Sequence, residues 1–191
     1  MGAALGGGSQ PCACGLIKRY DFARTPKWAV RANDIYENLP EFFMLFGFTD
    51  KFNSITSENL SLKITQKYAG DKEMLPFYYY DIFNSDNNFV GKISIRIGRN
   101  FHSYYNGNVG YEVFREYHGC GYAYKACEMV LDVARFHEME HIILACDINN
   151  IASYKTIEKL GAELLEICEV PKEYFAWREG MEKQRIYRLD L

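Results

Sequence analysis

The spacing of apolar and polar residues along this chain changes character near Pro76. Before it the pattern is mostly helical. Residues 16–20 read as a short first strand, and Trp28 to about Phe48 carries a helical apolar pattern that Pro40 interrupts, predicting two short helices. Residues 57–69 read as a further short helix. After Pro76 comes Phe77–Phe83, an aromatic run of strand formers, and Asp86-Asn87-Asn88 has the composition of a turn. Phe89 to Ile97 then alternates, with Phe89, Gly91, Ile93, Ile95 and Ile97 on one face and Lys92, Ser94 and Arg96 on the other. Together these predict an antiparallel hairpin. A loop rich in Tyr and Asn leads to a third strand over 109–114, which extends the meander.

The second half is patterned differently. From Gly121 to His137, small or apolar residues at Ala123, Ala126, Cys127, Val130, Leu131 and Ala134 form a helical stripe. Ile142 to Cys146 is a short apolar run of the kind expected for a strand covered on both faces. Strand, helix and strand within about 35 residues make a βαβ unit, with strands 109–114 and 142–146 parallel through a right-handed crossover. Asp147-Ile148-Asn149-Asn150 offers caps for a helix over 151–160, and Gly161 suits its C′ position. Strands near 162–168 and 185–190 follow, separated by a long charged loop. The pattern is a mixed α/β (α+β) domain over residues 16–191, without internal repeats.

Composition narrows the classes. Apolar residues make up 48% and charged residues 25%, the balance of an ordinary globular domain. A formal charge of −3 provides no electrostatic case for nucleic acid or an anionic membrane, and favours a cationic ligand. No apolar run reaches the length that spans a bilayer. Met1 to Gly15 is rich in Gly and Ala, lacks the basic start of a secretory signal, and reads as a flexible tail. The six cysteines (12, 14, 120, 127, 146 and 168) are scattered over predicted helices and strands. This fits buried thiols in a reducing cytoplasm better than a disulfide framework. Neither the Cys12/Cys14 pair nor the four histidines have metal-ligand spacing, so no metal is expected.

The chemistry centres on Gly119-Cys120-Gly121, where a strand passes through a polar turn into a helix. Glycines there let a ligand approach the backbone, and the unpaired amides of a helix start favour an anion, phosphate above all. A dinucleotide or nucleoside triphosphate could use such a turn. Against both, no Lys-Ser/Thr follows Gly121, and no acidic residue closes a strand about 20 residues on.

His118-x-x-Gly121-x-Ala123 resembles the acyl-CoA signature of the GCN5-related N-acetyltransferases (GNAT), and Asn150-Ile-Ala-Ser153 followed by Glu158-Lys159-Leu-Gly161 resembles their second motif. The likeness covers roughly residues 77–168 and is nearest to the ribosomal-protein and small-molecule branch. It implies a mostly antiparallel sheet of about six to seven strands, with a central βαβ acyl-CoA-binding unit and helices on both faces. It also implies acetyl-CoA as cosubstrate, with the pyrophosphate on the amides of residues 119–124, among them Gly119, Cys120, Gly121, Tyr122 and Ala123, and with His118 as a further cofactor-binding residue. The pantetheine arm is then expected along strand 109–114 at Val113 and Phe114, the thioester between splayed strands 109–114 and 142–146, and further contacts at Asn150 and Ser153. His118 stands where the family prefers Gln or Arg.

The resemblance further implies direct attack by an amine, with a backbone amide near Val113 or Phe114 steadying the oxyanion. Glu112 is the candidate base; the alternative is a solvated or ion-paired strand carboxylate. The family's usual acid, a Tyr four residues before the second motif's Gly, is Ile157 here, leaving Ser153 or Tyr154. Cys120 lacks a readable His/Asn arrangement for nucleophilic work. Tyr78, Tyr79 and Tyr80 read as strand packing, while His102, Tyr104 and Tyr105 border the cleft or a plain surface loop. The expected partner is an amine acceptor, either a small molecule or a protein N-terminus, and a homodimer is allowed. The rival expectation is a catalytically silent acyl-CoA-binding module.

Overall fold

The computed structural model describes residues 46–71 and 74–191. The expectations for the tail, the strand at 16–20, Cys12, Cys14 and most of the helical pattern over 28–48 lie outside the described residues.

Five antiparallel strands pair in chain order: β1 (Ser54–Thr56), β2 (Leu60–Tyr68), β3 (Phe77–Asn84), β4 (Phe89–Arg96) and β5 (Val109–Val113). Helix α1 (Phe101–Asn106) lies between β4 and β5, and helix α2 (Tyr122–Phe136) follows β5. Then come β6 (His141–Asp147), α3 (Ile151–Lys159), β7 (Glu163–Cys168) and β8 (Gln184–Asp190), with β8 inserted between β6 and β7 in a second antiparallel sheet. The eight strands among the described residues exceed the six to seven expected, because the short β1 and the strand β2 were not anticipated.

Residues 57–69 are therefore a strand where a helix was expected. Leu60 and Leu62 are buried and Lys63 is exposed, a period of two that continues to Ile64. The pair Leu60 and Ile64 fits helical spacing equally well; pairing with β3 decides for the strand. The loop expected around 101–106 is helix α1. Its start is a capping box, in which Asn100 accepts from the Ser103 amide (2.7 Å) and Ser103 Oγ accepts from the Asn100 amide (2.9 Å). The β3–β4 hairpin forms as expected, but a register shift next to Val90 changes one assignment. Val90 is buried and Phe89 is exposed, whereas the alternation had placed Phe89 with the core residues Ile93, Ile95 and Ile97.

The main core lies between the large sheet and helices α2 and α3. Leu62, Tyr78, Tyr80, Ile93, Ile95, Val130, Ile142, Leu144 and Ile157 are within it. Tyr78 and Tyr80 are thus packing residues. The βαβ unit β5–α2–β6 is present in order, but no ladder joins β5 to β6, and each strand is the edge of a separate sheet. The two sheets meet at Asn108. Its backbone amide donates to Ile143 O (2.6 Å) and its Oδ1 accepts from Ile143 N (2.8 Å). Its Nδ2 donates to Arg96 O and Gly98 O (3.0 and 2.9 Å).

Candidate active site

Beyond Asn108 the two edge strands part, and the ladder of β5 determines what faces the gap. The Asn108 carbonyl accepts from Arg96 N, and the Phe114 amide donates to Val90 O (2.9 Å). Backbone groups alternate in direction along a strand, so those of Gly110 and Glu112, with the Asn108 carbonyl and the Phe114 amide, face β4 while those of Tyr111 and Val113 turn outward. The Phe114 amide is thus committed to β4, and of the two expected oxyanion donors only Val113 faces the gap. Gly91 makes this close pairing possible: a Cβ there would lie 2.2 Å from Glu112 O.

A 3₁₀ turn at Arg115–Tyr117 leads from β5 to the glycine turn. Gly119 and Gly121 have φ of +83° and +76°, and a Cβ on either would meet nothing within 4 Å. Gly121 is the N-cap of α2 and supplies no side-chain acceptor. Helices α1 and α3, by contrast, are capped by Asn100 and Asn150. No N-cap side chain bonds the first amides of α2, those of Tyr122 and Ala123 among them, and the space beside both glycines is empty. Lys159 Nζ, 4.2 Å from the centre of the Tyr124 ring, brings a cation to the first turn of α2. Cys120 is exposed at the turn, without a base beside it among its hydrogen bonds. His118 does something unanticipated. Its Nε2 lies 2.8 Å from Val113 O, and since a carbonyl only accepts, the ring donates to one of the outward-facing groups of β5.

Helix α3 supplies the opposite wall. Asn150 Oδ1 accepts from the Ser153 amide (3.0 Å), so this oxygen serves as the helix cap. Ser153 Oγ lies 3.0 Å from the Tyr111 hydroxyl, across the gap between α3 and β5. Tyr154 faces elsewhere, with the Arg185 guanidinium 4.6 Å from its ring centre. Ile157, where the resemblance looked for a tyrosine, is 1% exposed in the main core. Burial pushes the Tyr111 hydroxyl up to about 12, against the opposing effect of its hydrogen bond to Ser153. Burial also raises the Cys146 thiol on β6, despite a hydrogen bond from Ser153.

Because Tyr111 points toward α3, its neighbour Glu112 points to the other face of the sheet. Glu112 is exposed there and ends a row of alternating charge, Lys63, Asp81, Lys92 and Glu112, each opposite the next across the ladder. The structure brings Ser153 to β5 but does not bring Ser153 and Glu112 to one face. Of the loop candidates, Tyr104 donates to Glu166 Oε1 on β7 (2.6 Å), and His102 Nδ1 accepts from Phe175 N (3.4 Å). Phe101, Tyr105, Tyr174 and Trp177 form a small aromatic cluster that fastens α1 to the segment before β8.

Three important residues had no usable sequence signal. Asn108 and Gly91 read as ordinary strand or loop residues, and Tyr111 as a routine strand aromatic. Among the described residues, no group of three or more His, Cys, Asp or Glu is arranged to hold a metal, and no helix is long and apolar enough to cross a membrane.

A family model described as an acetyltransferase (GNAT) domain matches residues 28–163. No curated protein matches the chain. Among solved structures, the chain is similar to a Vibrio cholerae protein assigned as a ribosomal-protein-serine acetyltransferase, with a TM-score of 0.54 and 14% identity over 72% of this chain and 97% of that one. It is similar to a GNAT-family acetyltransferase from Bacillus anthracis, with a TM-score of 0.52 and 16% identity over 72% and 98%. RimL, a ribosomal L7/L12 α-N-protein acetyltransferase, gives a TM-score of 0.54 and 14% identity over 72% and 94%. At these identities the likeness is one of fold.

Proposed function

Since this chain belongs to the GNAT acetyltransferase family, we propose that it moves an acetyl group from acetyl-CoA to a primary amine, by direct attack within a ternary complex. The observation that carries this reading is the uncapped start of α2. Two positive-φ glycines hold a row of amides open at the mouth of the gap between β5 and β6. An acyl-CoA fits that arrangement end to end. Its pyrophosphate takes the amides of Gly119 to Ala123, and its amide-bearing arm runs along the outward edge of β5. Its thioester then enters the gap, where the Val113 amide steadies the oxyanion.

The amine reaches the thioester carbon from the Glu112 face. Glu112, directly or through water, accepts the proton that the nitrogen must lose. The carbon–sulfur bond breaks toward α3, where Ser153 donates a hydrogen bond to the departing sulfur. A gap in a sheet is open on both sides, so a base and a thiolate-stabilising hydroxyl on opposite faces of β5 serve one carbonyl. The raised thiol of Cys146 is a poor nucleophile at neutral pH, which favours direct attack over an acetyl-cysteine intermediate. The described cysteines are all free, in keeping with a cytoplasmic enzyme. The acceptor class extends from protein N-termini, the target named for RimL, to polyamines and other small amines.

A silent acyl-CoA-binding module is the second reading, favoured by the burial of Ile157 at the position of the usual acid. Thiol release from acetyl-CoA, measured against peptides with free N-termini, polyamines and aminoglycosides, separates the two. The transferase reading expects amine-dependent release with an N-acetyl product seen by mass spectrometry. Acetyl-CoA binding without release above buffer for every amine refutes it in favour of the module, and absence of binding refutes both.

A further inference from the structure

We propose that Tyr111 is a positioning residue that holds the Ser153 hydroxyl so that its hydrogen points at the sulfur of bound CoA. The proposal rests on the reading above, in which Ser153 serves the leaving thiolate. A serine hydroxyl has one hydrogen and rotates freely, so unless something occupies its lone pairs that hydrogen has several targets. Here the Tyr111 hydroxyl lies 3.0 Å from Ser153 Oγ and 3.4 Å from the Ser153 carbonyl. A phenol that gives its hydrogen to Ser153 Oγ, rather than to the nearby Ser153 carbonyl, leaves the serine hydrogen for an acceptor on its other side, which is the Cys146 sulfur until the sulfur of CoA takes its place.

The surroundings keep the phenol a donor. Tyr111 is packed against the main core, where it faces Ser153 and Thr156 on α3, Cys127 on α2 and Cys146 on β6. No charged side chain stands among these neighbours, and burial raises both thiols above the ordinary cysteine value. Tyr111 keeps its proton throughout the range in which a CoA thiol titrates, with its own value near 12. It is therefore too weak an acid to protonate the thiolate itself, and its effect passes through Ser153. No covalent bond to either residue is made, and the thiolate takes its final proton from solvent.

The readout is the thiol pKa of bound CoA, followed by thiolate ultraviolet absorbance as the pH is raised, with desulfo-CoA complexes as the blank for protein groups. This needs no acceptor. Tyr111→Phe and Ser153→Ala should each raise the bound thiol pKa by about one unit, the worth of one hydrogen bond to a charged sulfur. The double variant should go no further than Ser153→Ala alone. Packing alone moves CoA affinity or melting temperature without that non-additive shift. If Tyr111→Phe keeps the wild-type thiol pKa while Ser153→Ala raises it, Tyr111 is a packing residue and the proposal fails while the Ser153 reading stands. If both variants bind CoA and neither moves the titration, the Ser153 reading fails and takes the proposal with it. Should Tyr111→Phe not fold, a ring-fluorinated tyrosine at 111 keeps the hydroxyl while lowering its pKa. The bound thiol should then follow the fluorinated phenol, rising as that phenol ionises; a thiol titration indifferent to the fluorine overturns the proposal.

Discussion

Replacing Asn108 by alanine tests whether one side chain holds the two sheets at their meeting point. Asn108 is fully buried. Its Nδ2 satisfies the carbonyls of Arg96 and Gly98, and its Oδ1 satisfies the amide of Ile143. The substitution strands three backbone groups in the interior. At about 1–3 kcal/mol for each buried group left unpaired, with water replacing part of the loss, the sum is about 3–5 kcal/mol. That is a large share of the 5–15 kcal/mol typical of a domain. Asn108→Asp is a sharper variant, since it keeps the acceptor for Ile143 but turns a carboxylate oxygen toward two carbonyls. Urea unfolding measures the stability loss, and calorimetric titration of acetyl-CoA in the still-folded population measures the site. Both variants should show a midpoint shift worth at least 3 kcal/mol, and weaker acetyl-CoA binding because the opening between β5 and β6 starts at this residue. A loss below 1 kcal/mol with unchanged affinity would refute the reasoning, because the backbone bond from Asn108 to Ile143 would then suffice.

Gly121→Val places a β-branched residue at φ +76°, at a cost on the order of 1–3 kcal/mol, and its side chain reaches into open space. The fold should survive with a large loss of CoA affinity, and unchanged calorimetric binding would sink the assignment of this turn. Glu112→Gln should lower kcat by roughly 10²-fold with the acidic limb of the pH–rate profile lost, whereas a retained rate and limb would place the base elsewhere. Stability should be greatest between pH 6.5 and 10. Burial lowers His102, His137 and His141 below the ordinary 6.5, so the unfolded chain binds protons that the native state resists, and stability falls as the pH drops through that value. Tyr111, Tyr174 and Tyr187 are raised from 10 to about 12, so the native state holds protons that the unfolded chain releases, and stability falls again above pH 10. Melting temperature against pH checks both limbs; a monotonic curve would contradict them.

Local pattern was enough for the elements whose residues answer to their neighbours in the chain. The strands at 77–84 and 109–113, helix α2, the Asn150 cap and the Gly119–Gly121 turn depend on periodicity, capping chemistry and backbone freedom, each confined to a few consecutive residues. The same stretch from Glu112 to Ala123 therefore carried the legible part of the candidate site. Other features depend on partners remote in sequence. Leu60 and Ile64 satisfy both a helical and a strand spacing, and only β3 alongside them selects the strand. Phe89 and Val90 exchange faces because of a register shift opposite β3, which alternation along one strand does not contain. Asn108 bonds to Ile143, 35 residues away, and Tyr111 meets Ser153 across 42. Hydrogen-bond direction along β5 also removes the Phe114 amide from the gap and leaves Val113. Residue types announced a glycine turn ready for an anion. Which atoms line the gap beside it is decided by long-range pairing, because a buried polar group takes its role from whatever the fold brings within hydrogen-bond reach.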